Sequence, residues 1–153
     1  MNDAAKVVAP PKSFWVIAAV SLLWNAYGGF DYTMTRMRNM EFLTQVAGSA
    51  DNARQMLAMI DAFPVWASIG WGAGVWGSVF GSILLLLRSR WAVTAFVVSI
   101  AGAVVSFAYQ LTSGAMPTEM NNPAGWAFTA VIVGAVVFFW WFAKRAAARG
   151  ILR

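Results

Sequence analysis

Hydrogen-bonding side chains that could hold a solute lie within or beside long apolar runs of this sequence. Asn25 follows Trp24 in the first run, and Tyr109 and Gln110 close the third. If the runs cross a membrane as helices rising about 1.5 Å per residue, these residues gather in its outer half. Aromatic walls with a few polar groups can bind a sugar ring or another amphiphile. We predict a candidate outward-facing vestibule from these residues: Trp24, Asn25, Asp31, Trp71, Trp76, Tyr109 and Gln110.

The same polar residues have a structural interpretation. Asn25 and Gln110 could form hydrogen bonds with neighbouring helices, which in membranes stabilise packing by about 0.6–2 kcal/mol each. The sequence leaves both interpretations open.

The sequence has few side chains of the types that carry out catalysis. The chain has no Cys and no His, and its six Asp and Glu residues all lie outside the apolar runs. Thiolate chemistry, His-ligated haem or zinc and imidazole acid–base catalysis are thereby excluded. Proton-coupled transporters usually carry an ionisable group within the membrane, and none is found here. We predict a protein that is not an enzyme and needs no cofactor.

Composition indicates the elements that must position these residues. Apolar residues make up 60% and charged residues 11% of the 153 residues, whereas soluble domains have about 45–50% and about 25%. Four apolar runs cover residues 14–30, 65–87, 91–111 and 124–143, close to the ~20 residues that span a bilayer as a helix. We predict an all-α, polytopic membrane protein, in which residues 1–153 form one antiparallel bundle of four transmembrane helices.

Basic residues predict the orientation of these helices. Eight of the eleven precede the first run, separate the second from the third, or follow the fourth. The positive-inside rule therefore favours an N-in, C-in topology in a bacterial inner membrane. Because these cations sit at the ends of apolar runs, we expect anionic lipids and not nucleic acid as partners. Candidate lipid contacts are Arg88, Arg90, Lys144 and Arg145.

The outer loop, residues 31–63, is the longest polar connection. Its segment 51–60 predicts a short amphipathic helix with Ser49 or Asp51 as its cap. The loop could be a lid on the chain's own bundle or a docking surface for a partner.

Small residues at regular spacing indicate close helix contacts. Gly70 and Gly74, and Gly77 and Gly81, form small-x-x-x-small patterns, with Gly102 and Gly134 on the next two runs. Such patterns let two helix backbones approach closely. They could serve packing within the chain, or a homo-oligomer or larger membrane complex.

Four sequence segments carry a resemblance to a known family: Leu22–Asn25, Pro64–Trp66, Gly77–Arg88 and Arg90–Val93. In these the chain resembles small four-span bacterial inner-membrane proteins that are often labelled hypothetical or "sugar transporter". The resemblance implies the four-span topology and brings no catalytic residues. We expect a non-enzymatic accessory or interaction subunit, with a small-solute transporter or binder that uses the vestibule as the alternative.

Overall fold

The computed structural model describes residues 8–114 and 122–153, and all regular structure in these ranges is helical. The helices are α1 (Lys12–Arg36), α2 (Met40–Ala47), α3 (Ala50–Asp61), α4 (Val65–Leu86), α5 (Trp91–Ser113) and α6 (Pro123–Ala148). Four of them, α1, α4, α5 and α6, are long and apolar enough to cross a membrane. The predicted all-α, four-span class is therefore confirmed.

Helices α1 and α6 extend beyond the apolar runs that predicted them. The runs end at residues 30 and 143, whereas α1 continues to Arg36 and α6 to Ala148. Apolar content marks only the part of a helix that lipid surrounds. The backbone hydrogen bonds that define the helix continue into its polar flanks, where water can solvate the side chains.

Side-chain caps mark several helix starts. The Ser49 hydroxyl accepts a hydrogen bond from the amide of Asn52 (3.1 Å), so Ser49 and not Asp51 caps α3, the short helix expected near residues 51–60. The short helix α2 was not predicted, although its signals are in the sequence. The Asn39 side chain caps its first turn, and Gly48, at φ +78°, ends it in the left-handed conformation that glycine favours.

The long helices pack in the order α1, α4, α5, α6. Helices α4 and α5 form an antiparallel hairpin and share the most extensive contact, while α1 packs against α4 and α6 against α5. At one end of the bundle α6 returns to α1, where the rings of Phe14 and Phe142 stack with centroids 5.8 Å apart.

The two ends of the bundle differ. The end formed by the start of α1, the α4–α5 turn and the end of α6 carries Lys12, Arg88, Arg90, Lys144, Arg145 and Arg149, and we call it the basic end. We call the opposite end, where α2 and α3 lie, the loop end. The main buried apolar cluster lies toward the basic end and includes Phe14, Leu85, Phe96, Phe139 and Leu152. The buried apolar core is therefore concentrated on that side.

Helices α2 and α3 pack together at the loop end. Leu43 of α2 and Ala53 of α3 are fully buried. The Phe42 ring meets the Phe30 ring of α1 edge to face, with centroids 5.4 Å apart. An ion pair joins Arg38, just past α1, to Asp61 at the end of α3 (2.6 Å), but both side chains are at least half exposed. Such exposed pairs contribute only about 0–1 kcal/mol, so apolar contacts dominate.

Candidate functional site

Aromatic rings from three elements form a connected cluster at the loop end. The Tyr32 ring of α1 meets the Trp71 ring of α4 edge to face, with centroids 4.5 Å apart. Phe63, just before α4, bridges Trp71 (6.4 Å) and Tyr109 of α5 (5.2 Å). The Tyr109 hydroxyl donates a hydrogen bond to the Ala62 carbonyl (2.9 Å). These edge-to-face contacts fix the segment after α3 onto the bundle.

Beside this cluster runs an open groove of about 660 Å³ between α1 and α4, and we call it the loop-end groove. Its size falls within the range of about 300–1,000 Å³ common for ligand sites. It is lined by Tyr32, Arg36, Phe63, Val65, Ser68, Ile69, Gly72, Ala73 and Trp76. Most of the lining is apolar or aromatic, with a guanidinium and hydroxyl groups at a few positions.

Two features shape the chemistry of this groove. Arg36 and Tyr32 are one helical turn apart on α1, so a cation and a phenol face the same side. The hydroxyl of Tyr32 lies 3.0 Å from the position that a Cβ at Gly72 would occupy. Glycine therefore lets Tyr32 approach the α4 backbone. The arrangement suits a polar or anionic group beside an aromatic wall.

Trp71, Trp76 and Tyr109 are the members of the predicted vestibule that the structure brings near the groove. Trp76 lines it, while Trp71 and Tyr109 belong to the adjoining aromatic cluster. The remaining four predicted residues lie elsewhere. Trp24 is 41% exposed, Asp31 is half-buried outside the groove lining, and Gln110 pairs with Ser106 on its own helix (3.4 Å).

The prediction that Asn25 lies in the vestibule is wrong. Asn25 is buried between α1 and α4, and its Nδ2 donates to the Ser82 hydroxyl (2.9 Å) and to the Ser21 carbonyl (3.0 Å). Ser82 lies six residues beyond Trp76 on α4, about 9 Å closer to the basic end. The predicted depth of Asn25, in the outer half, is therefore wrong, because α1 continues to Arg36, beyond the apolar run from which depth was counted. The rotation of α1 also turns Asn25 toward serines and away from the groove.

The serines around Asn25 complete a hydrogen-bonded cluster. The Ser21 and Ser82 hydroxyls are 2.7 Å apart, and Ser82 in turn donates to the Ser78 carbonyl (2.9 Å). Ser82 therefore accepts from Asn25 and Ser21 while donating along its own helix. Each such interhelical hydrogen bond contributes about 0.6–2 kcal/mol. The structural interpretation of Asn25 accounts for its position.

Glycines on α4 and α5 allow two backbones to meet. A Cβ at Gly102 would lie 2.5 Å from both Gly70 O and Gly74 N, and one at Gly77 would lie 2.8 Å from Ser99 N. The Ser99 hydroxyl donates to the Gly74 carbonyl across this contact (2.5 Å). Five of the six predicted packing glycines, Gly70, Gly74, Gly77, Gly81 and Gly102, thus serve packing within the chain.

Gly134, the sixth, differs. A Cβ added there would meet nothing within 4 Å. The small residues Ala130 and Gly134 on α6 are both exposed, so this small-x-x-x-small pattern has no counterpart helix among the described residues.

Arg88, predicted as a lipid contact, has a different role. Its Nε donates to the Ile151 carbonyl (2.9 Å) and its Nη2 to the Val8 carbonyl (3.0 Å). Backbone bonds join the same three segments, with the Arg90 amide donating to the Arg153 carbonyl (2.8 Å). We call this assembly the basic-end clasp. It ties the α4–α5 turn to the segments that precede α1 and follow α6.

The other three predicted lipid contacts are exposed. Arg90 lies at the α4–α5 turn, and Lys144 and Arg145 lie near the end of α6. The Lys144 ammonium is 5.2 Å from the centre of the Trp140 ring, and the Arg145 guanidinium is 4.3 Å from that of Trp141. Both cations thus lie beside aromatic rings.

Sequence reasoning missed most of the groove lining, although one signal was present. Ser68, Gly72 and Trp76 follow each other at four-residue spacing on α4, as Tyr32 and Arg36 do on α1. Residues four apart share a helix face. The pattern indicates one polar and aromatic face on each helix, but not that the two faces adjoin.

Fold and sites together define a multi-pass, four-span helical protein. No family model, no curated protein and no solved structure matches the chain. Membership of the small four-span family that the sequence resembles therefore stays a prediction.

Proposed function

We propose that this chain is a non-enzymatic interaction subunit of a bacterial inner-membrane complex, which contacts a partner helix through the loop-end half of α6. One observation carries the proposal. In the apolar 18-residue stretch of α6 only 11% of the residues are buried inside the bundle, against 28–33% in the corresponding stretches of the other three long helices. Lipid chains can cover an apolar helix, so exposure by itself does not specify a partner. The small residues on this half supply the specificity.

The spacing on α6 is the kind that helix pairs use. Ala130 and Gly134 lie four apart with no neighbouring atom within 4 Å of a Cβ at Gly134. In membranes, small residues drive association because backbones can come close and gain van der Waals contact. The small residues of α4 and α5, in contrast, already contact each other within the chain. The α6 stripe is therefore the place where a second helix would fit.

The uneven distribution of basic residues supports an inner-membrane location. If the four spans cross the membrane in alternating directions, three basic residues of the sequence fall on one side: Arg36, Arg38 and Arg54. The other eight fall on the opposite side: Lys6, Lys12, Arg88, Arg90, Lys144, Arg145, Arg149 and Arg153. By the positive-inside rule the basic end faces the cytoplasm. The loop end, with α2, α3 and the exposed half of α6, then faces outward.

Photo-crosslinking in native membranes tests the interaction. A photoreactive residue at position 130 is expected to give a discrete adduct, whereas one at Val104, which is 62% exposed on α5, is expected to give none. Gly134→Ile should lower the yield about fivefold, because a branched side chain separates helices whose contact contributes about 1 kcal/mol. Gly28→Ile, at another position with nothing within 4 Å, is the matched control. If the photoreactive residue gives no adduct at position 130 or at Val104, the result contradicts the proposal.

A second function is favoured by the loop-end groove. Its volume of about 660 Å³ and its aromatic wall suit a small amphiphilic solute such as a sugar. Trp76→Ala is expected to abolish saturable uptake of a labelled monosaccharide in proteoliposomes, because it removes the largest ring of the wall. Trp15→Ala, a similarly exposed tryptophan near the basic end, should leave uptake intact. No saturable flux with the unaltered protein would eliminate this function.

A further inference from the structure

A second groove lies at the basic end, between the start of α1 and the end of α6. Its volume is about 260 Å³. The floor is apolar and buried, with Phe14 at 1% and Ile151 at 5% exposure, while Phe138 and Trp141 at the rim are more than 40% exposed. At about 30 Å³ per water molecule, this volume suits a phosphate with its glycerol and not whole acyl chains. Such chains would continue along the exposed apolar side of α6.

The groove carries positive charge. Arg145, in the last turn of α6, and Arg149, the residue that follows the helix, line it together with Ser13 of α1. The acidic side chains among the described residues all lie at the loop end: Asp31, Glu41, Asp51 and Asp61. No described acidic side chain therefore competes for these two guanidinium groups. The charge of the groove is complementary to an anion.

The position of Arg145 matches the depth of lipid phosphates. Its guanidinium lies over the Trp141 ring at 4.3 Å, and tryptophans favour the headgroup level of a bilayer. A guanidinium that stacks on a ring keeps its N–H edge free for a bidentate phosphate contact. The stacked Phe14 and Phe142 rings hold the two walls of the groove together.

We propose that this groove binds one anionic phospholipid, with its phosphate on Arg145 and Arg149. The apolar floor and the opening onto the lipid-facing side of α6 favour a lipid over a soluble phosphate. Binding there would fill the gap between α1 and α6 at the basic end. The site differs from general attraction of anionic lipids to the basic end, because it needs two particular arginines and not a net charge.

A charge-matched pair of double variants tests this. Arg145→Gln with Arg149→Gln removes two charges from the groove, and Arg90→Gln with Lys144→Gln removes two exposed charges outside its lining. Native mass spectrometry in neutral detergent would follow the binding of phosphatidylglycerol and of phosphatidylcholine with the same chains. We expect one tightly held phosphatidylglycerol, weakened at least about tenfold (about 1.4 kcal/mol) in the groove variant only.

Three outcomes would overturn the proposal: equal weakening in both double variants, equal affinity for phosphatidylcholine, or displacement of the lipid by inorganic phosphate. A second measurement needs no variant. Phosphatidylglycerol with a photoreactive acyl chain should label Ile17, Phe138 or Phe142 of the unaltered protein. Labelling spread evenly onto Val97 and Val98, which are exposed on α5, would indicate a general lipid belt.

Discussion

Gly102→Val is expected to destabilise the bundle by about 3 kcal/mol, at or above the upper end for overpacking in a tight core. The Cβ alone would lie 2.5 Å from Gly70 O and Gly74 N and 3.0 Å from Ala73 C. All three are backbone atoms of α4, so no side-chain rotation relieves the clash. The helices must separate, which also breaks the hydrogen bond from Ser99 to the Gly74 carbonyl.

Thermal or denaturant unfolding in detergent micelles measures this effect. Gly28→Val is the matched control, because a Cβ at Gly28 meets nothing within 4 Å. Gly81→Ala should fall between the two, since its nearest neighbours are ring atoms of Phe96 at 3.0 Å, which can shift slightly. Equal stability of the Gly102 and Gly28 variants would show that α4 and α5 do not approach this closely.

Arg88→Ala is expected to destabilise the protein by about 2 kcal/mol, because a hydrogen bond to a charged group contributes about 1.5–3 kcal/mol and Arg88 is partly exposed. The guanidinium joins two carbonyls, of Val8 and Ile151, that are far apart in sequence. Its loss should release Ile151 and Leu152, which are 5% and 1% exposed. Faster amide hydrogen exchange at Arg153, whose N–H bonds to the Arg88 carbonyl, would report that release.

Arg90→Ala provides the comparison for Arg88. Arg90 carries the same charge two residues away, but its side chain is exposed and its contribution to the clasp comes from its backbone amide. The substitution should therefore leave stability and exchange unchanged. If Arg88→Ala also leaves stability and exchange unchanged, the clasp depends on backbone pairing alone.

The internal use of five glycines changes where a partner should be sought. The densest small-residue helix, α4, is covered by α5 through Gly70, Gly74 and Gly77. The weaker pattern at Ala130 and Gly134 is the one left open. Glycine density alone would point to α4 as an interface, whereas the interface that we propose lies on α6, the least buried of the four long helices.

The polar residues show how far depth can be read from sequence. Counting residues along a helix placed Trp71 and Tyr109 near one level, and the structure joins them through Phe63. The same counting misplaced Asn25, because α1 continues six residues beyond the apolar run from which depth was counted. The partners of Asn25 also depend on how α1 is rotated about its axis. The partner Ser82 is 57 positions away in the chain, and nothing local indicates the pairing.

The sequence by itself determined the number of long helices, the short helix within residues 31–63 and the charge asymmetry between the ends. These features are local, since hydrogen bonds within a helix and apolar length fix them. Only the tertiary structure decided which glycines touch, where Asn25 turns and what Arg88 holds. Lipid is as apolar as the bundle interior, so the side of a helix that faces its neighbours carries no clear hydrophobic pattern. Of the seven residues predicted for the vestibule, only Trp76 lines the loop-end groove, and α6 is the least buried of the four long helices.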